Sequence, residues 1–180
     1  MRPSIIPNLI DASLKNKNKG ISNISLFEVG PVFKGDSPES QYTLATGLRN
    51  GKKVEKDWKN KEIFFDFYDI KSDVLECLKA LSCPVNKLKI VNEAPDYYHP
   101  GKSGVFMLGD KIIAYLGEIN PLVLNKINTK ERFFCFEIFL DNLSRPLKLS
   151  SSKPLLKQIP FQPVYRDFAF ILNNSVLVQD

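Results

Sequence analysis

Histidine is almost absent from this sequence: His99 is the only one in 180 residues. That excludes a multi-histidine metal site and leaves a Ser-His-Asp arrangement at most one centre. Cysteine is scarce too. Cys77, Cys83 and Cys135 are odd in number, far apart and never in a Cys-x-x-Cys pair. Neither a zinc site nor a disulfide framework is indicated, and reduced, half-buried core positions are expected. No uncharged apolar run approaches the ~20 residues needed to cross a bilayer. The opening MRPSIIPNLIDAS lacks the apolar stretch and small-residue cleavage site of a secretory signal. A cytoplasmic protein with no membrane partner is the expectation. Arginine is sparse as well, with Arg2, Arg49, Arg132 and Arg145 the only ones up to residue 148. No internal repeat is present.

What remains is an ordinary globular composition, 43% hydrophobic and 25% charged, long enough to bury one core. The formal charge of +5 is compatible with a polyanionic partner and equally with a solvated lysine-rich surface. Residues 6–18 put Ile6, Leu9, Ile10, Ser13 and Leu14 on one helical face, with Pro7 in the first turn and Gly20 as the C-terminal cap. Segments 24–33 and 41–50 carry β-formers around a Gly-Asp-Ser-Pro cluster and read as an antiparallel pair. GKKVEKDWKNK, with five lysines, reads as a solvated loop at the tip of that pair, in preference to a tRNA or phosphate contact, since charge runs usually keep a surface solvated. Its Trp58 is either an anchor pinning the loop or part of an interface. Apolar spacing of three and four predicts a helix over 65–81, with Asp66 or Asp69 near its start. Short strands follow at 86–93, 103–108 and 111–119, the last two joined by Gly109-Asp110. A short helix from Pro121 and a strand over 133–140 complete the pattern. This order predicts an α+β fold with helices packed on an antiparallel sheet.

After residue 143 the composition shifts: SRPLKLSSSKPLLKQIPFQP holds four prolines and four serines, as a linker does. VYRDFAFIL at 164–172 then reads as a new strand, the opening of a second domain, since one strand cannot stand alone.

The stretch YYHPGKSG is the most suggestive chemically. A phosphate loop needs Gly, four residues, then Gly-Lys-Ser, in a turn that opens a helix. Asp96 occupies the first glycine's position and a strand, GVFML, follows Ser103. The phosphate-loop reading fails on both counts, and His99 before Pro100-Gly101 reads as a structural or interface residue in a turn. Glu28, Glu118 and Glu137 each sit inside a strand among apolar residues. Such carboxylates face solvent, pair with Lys or Arg, or line a site. Alternation favours the solvent face; a small ligand-binding protein or enzyme with the three around one pocket is the alternative.

Six stretches, RPSIIPNLIDASLKNKNKG, SLFEVGPVF, YYHPGKSG, IAYLGEINPLVL, FCFEIFLDNL and PFQPVYRDFAFIL, occur in the order found in the bacterial phenylalanyl-tRNA synthetase beta subunit family. The chain resembles the C-terminal part of that subunit over nearly its whole length. The resemblance implies a catalytically silent class II synthetase-like core over 1–148, a linker over 149–163, and at 164–180 the first strand of a truncated ferredoxin-like anticodon-binding domain. It implies an alpha-subunit partner, tRNA(Phe) contact through the complete subunit, and an alpha2-beta2 heterotetramer that uses ATP and Mg2+. The family's upstream editing domain and tRNA-binding-like N-terminal domain have no counterpart here. No catalytic, cofactor or metal residue is expected in this chain itself. Pocket or interface candidates are Glu28, His99, Lys102, Glu118 and Glu137, with Arg166 on the tRNA side.

Overall fold

The computed structural model describes residues 1–143, 166–169 and 171. Packing divides the chain into Met1–Pro146 and Leu147–Asp180. In the second unit, Arg166 and the other described residues are exposed and lie in no helix or strand. The linker at 149–163 and the rest of the strand expected at 164–172 fall outside the described residues.

The first unit begins with helix α1, Ile6–Lys17. Proline in its first turn removes an amide that has no intrahelical partner. Ile6, Leu9, Ile10 and Ser13 recur at three and four and are its buried stripe. Gly20, at φ +88°, lets the chain turn away after the helix. Strand β1 is Ile24–Phe33 and β2 is Gln41–Asn50. A small hairpin follows, β3 at Lys52–Val54 and β4 at Ile63–Phe64. The lysine-rich segment is thus a hairpin of its own rather than the tip of the β1–β2 pair. Helix α2, Phe67–Ala80, opens with a reciprocal capping box: the Asp66 carboxylate accepts from Tyr68 and Asp69 amides, and Asp69 accepts from the Asp66 amide. The remaining elements are β5 at Lys89–Val91, β6 at Tyr98–Leu108, β7 at Lys111–Ile119, α3 at Pro121–Lys126 and β8 at Phe133–Phe139.

Six strands form one antiparallel sheet in the order β1-β2-β8-β7-β6-β5. β8, the last strand among the described residues, is central, and all of its residues are buried, as its mostly aromatic and aliphatic character demands. Its alternation builds two cores. Phe133, Cys135 and Phe139 pack with α1, while Phe134, Phe136 and Ile138 pack with α2. Of the cysteines expected to be half-buried, only Cys83 is so; Cys135 is fully buried and Cys77 is exposed on α2.

YYHPGKSG is not a turn that precedes a strand. From Tyr98 on it forms the first half of β6, where the register jumps: Tyr98 pairs with Ile119 and Ser103 with Gly117, so residues 99–102 bulge opposite Glu118 alone. A bulge tolerates Pro100, which has no amide for a ladder. Gly117 has φ +152° and faces the bulge so closely that a Cβ there would lie 2.5 Å from Ser103 Cβ.

Candidate functional site

The sheet face under α1 is not fully filled. Helix α1, the segment before it and α3 roof a cavity of about 780 Å³ over β2, β7 and β8. Its walls are mostly aliphatic, among them Ile6, Ile10, Leu44 and Phe139, with Lys34 and Asp11 at the margin. Lys34 Nζ lies 5.1 Å from the ring centres of both Tyr42 and Phe139, a cation held over aromatic faces.

Glu137 is the polar element of the cavity, only 2% exposed. Ser4 donates to its Oε1 at 2.6 Å, Tyr97 to Oε2 at 2.7 Å and Tyr98 to Oε2 at 3.5 Å. Burial raises its pKa above the ordinary carboxylate value, opposed by those hydroxyls and by Lys34. Burial and the neighbouring Glu137 charge raise the Tyr97 phenol as well. Ser4 Oγ also accepts from the Ile6 amide at 3.2 Å, so one chain of hydrogen bonds ties the start of α1 to the central strand and to β6. Glu137 therefore faces neither solvent, as alternation suggests, nor a basic partner within hydrogen-bond reach.

Glu118 is on the opposite face, since its pairing partner is Phe134 of the α2 core. It is 3% exposed. Arg132 binds it through both nitrogens of a fork, at 2.9 and 3.0 Å, and Lys102 of the bulge reaches it at 3.1 Å. Burial pushes this carboxyl up, but Arg132 and Lys102 outweigh it and hold the group below its usual range. Glu28 lies on the outermost strand, half-buried, paired with Arg2 at 2.5 Å. His99 Nδ1 accepts from the Gly101 amide at 3.0 Å within the bulge. The three glutamates do not converge: Glu28 and Glu137 share a cross-strand row with Thr46 between them, and Glu118 points the other way. The pocket of three carboxylates beside His99 does not form.

Sequence spacing missed Ser4, Tyr97, Tyr98 and Arg132. Tyr97 and Tyr98 lie within YYHPGKSG, but Tyr97 is in the turn before β6 and Tyr98 is its first residue, so strand alternation does not apply to the pair and spacing alone does not bring both hydroxyls to one carboxylate.

Among the described residues of the first unit the donor set does not fit a nucleotide–metal site. Arg2 is committed to Glu28, Arg49 to Asp73 at 2.5 and 2.8 Å, and Arg132 to Glu118. None of these guanidiniums reaches the cavity, and among the described residues no group of three His, Cys, Asp or Glu side chains could hold a metal ion. Among the described residues no helix is long and apolar enough to cross a membrane.

By fold the first unit is a core of the class II aminoacyl-tRNA synthetase type. A pyrrolysyl tRNA synthetase of Desulfitobacterium hafniense superposes on 78% of the chain and 48% of its own length, with a TM-score of 0.56 at 16% identity. Sequence narrows the class. The model of the phenylalanyl tRNA synthetase beta chain CLM domain matches residues 1–140, and the chain belongs to that family. Among curated relatives, the phenylalanine–tRNA ligase beta subunit of Rhodospirillum rubrum is 43% identical and that of Paramagnetospirillum magneticum 40%, each over 177 residues. Those alignments cover 98% of the chain and 22% of each relative, so the chain spans about a fifth of their length.

Proposed function

We propose that this chain is a non-catalytic structural and subunit-interface module of a phenylalanine–tRNA ligase beta subunit. It supports an alpha subunit that carries the chemistry. In this reading residues 1–148 are the silent core, 149–163 a linker, and 164–180 the first strand of a ferredoxin-like anticodon-binding domain. The whole enzyme is an alpha2-beta2 heterotetramer of the cytoplasm that joins phenylalanine to tRNA(Phe) with ATP and Mg2+.

The observation that carries the silent role is the commitment of arginine. ATP phosphates in a synthetase core need free guanidiniums, and Arg2, Arg49 and Arg132 each already hold a carboxylate. The interface role is supported by β1, an edge strand whose Phe27 is 80% and Val29 55% exposed. A long edge with exposed apolar side chains is a docking surface unless it is covered. ATP–pyrophosphate exchange by the purified chain tests the first point: no phenylalanine-dependent exchange is expected, and exchange above background refutes silence.

A further inference from the structure

The β3–β4 hairpin carries an arrangement that neither the silent core nor β1 uses. Trp58, the chain's only tryptophan, stands at its tip and is 94% exposed. It is therefore no anchor: it pins nothing. The turn beneath it is locked, because the Asp57 carboxylate accepts from the Lys59 and Asn60 amides at 2.7 and 2.5 Å and the Asp57 amide donates to the Asn60 carbonyl at 3.1 Å. An ordered turn thus holds an indole out in water.

The lysines around it divide into two sets. At the base of the hairpin, Lys52 pairs with Glu55 and Glu62, and Lys53 with Asp69. At the tip, Lys56, Lys59 and Lys61 are exposed, and their ammonium groups make no ion pair with any described residue. A solubilising surface has no use for the indole, which costs free energy in water. A lipid surface demands a continuous apolar face, whereas Trp58 stands alone among charges at the tip and the hairpin's other exposed apolar side chains, Ile63 and Phe64, are half-exposed at its base in β4. An aromatic face bracketed by unpaired cations is the combination that binds unpaired nucleotides: the ring stacks on a base, and the ammoniums meet the flanking phosphates.

We infer that the hairpin tip is a single-stranded RNA contact in which Trp58 stacks on an unpaired base while Lys56, Lys59 and Lys61 neutralise neighbouring phosphates. The choice of RNA among polynucleotides rests on the proposed function, and the contact itself on the hairpin.

The test uses the full chain, whose intrinsic fluorescence reports Trp58 alone. A single-stranded oligoribonucleotide of about eight nucleotides is titrated in, followed by base-free heparin, an acidic polypeptide and anionic vesicles. RNA should quench the emission strongly and heparin should not. By fluorescence anisotropy of labelled RNA, Trp58→Ala should weaken binding about 5- to 150-fold, the range of one stacked base. The triple change of Lys56, Lys59 and Lys61 to Gln should reduce the slope of log affinity against log salt by about 2. Circular dichroism of each variant should match the parent, since the side chains touch no core. Unchanged RNA affinity in Trp58→Ala overturns the inference, as does quenching by the polypeptide or vesicles equal to that by RNA. Capture of the alpha subunit is read separately: success there with no RNA quenching sinks the contact alone, and the reverse sinks the subunit assignment alone.

Discussion

Replacing Glu137 with alanine should destabilise the first unit by about 2–4 kcal/mol. The figure follows from what the change strands. The hydroxyls of Ser4 and Tyr97, at 2.6 and 2.7 Å, lose their acceptor, and Tyr98, 1% exposed, loses a weaker one. A buried hydroxyl left without an acceptor costs about 1–3 kcal/mol, and access from the cavity keeps the sum near the lower end. Urea unfolding followed by far-ultraviolet circular dichroism is the assay, because Trp58 is already hydrated and its emission cannot report folding. Glu137→Gln separates charge from hydrogen bonding. Burial raises the folded pKa of Glu137, so the folded state favours its protonated form. That contribution is complete below the unfolded value of about 4.3 and is lost as pH rises through the raised folded pKa. Relative to Glu137→Gln, the parent should therefore lose stability as pH rises across that window. An alanine variant within about 0.5 kcal/mol of the parent, the range of ordinary surface changes, would show that the Glu137 hydrogen bonds do not hold the first unit together.

Arg132→Met should cost about 1–2 kcal/mol at neutral pH: Glu118 stays buried with Lys102 alone, and the exposure of Arg132 reduces the penalty of a fully buried pair. The depressed pKa of Glu118 gives a contribution present above about pH 4.3 and lost as pH falls through the folded pKa, and this acid-side slope should shrink in the variant. Gly47→Ala should destabilise by about 1–3 kcal/mol, as overpacking does, because its Cβ would lie 2.3 Å from the Phe136 ring; thermal melting checks it. Phe27→Asp with Val29→Asp should leave the melting curve unchanged and abolish alpha-subunit capture.

The elements were legible where local chemistry decides them. Helix α2 has a capping aspartate and apolar spacing of three and four, and both signals point one way. The β7 and β8 runs were legible from their β-branched and aromatic residues. The bulge in β6 was not. Pro100 and Gly101 carry turn signals, and only pairing with β7 on either side of them turns the segment into a strand. Site geometry was still less accessible, because it depends on register. That Glu28 shares a row with Glu137, and that Glu118 faces the other core, follows from pairing across strands up to about a hundred residues apart in sequence. The exposure of Trp58 was open for a similar reason: the sequence shows an indole among lysines, but only the separate hairpin, with its ion pairs at the base, leaves the tip charged.

Under the proposed function this chain supports a catalytic partner and does no chemistry itself. Co-expression with the matching alpha subunit, followed by affinity capture on the chain and size-exclusion chromatography, tests it most directly. A complex that co-elutes with the parent chain and is lost in the Phe27→Asp, Val29→Asp variant is expected. Separate elution of the two, with the chain folded by circular dichroism, would contradict it.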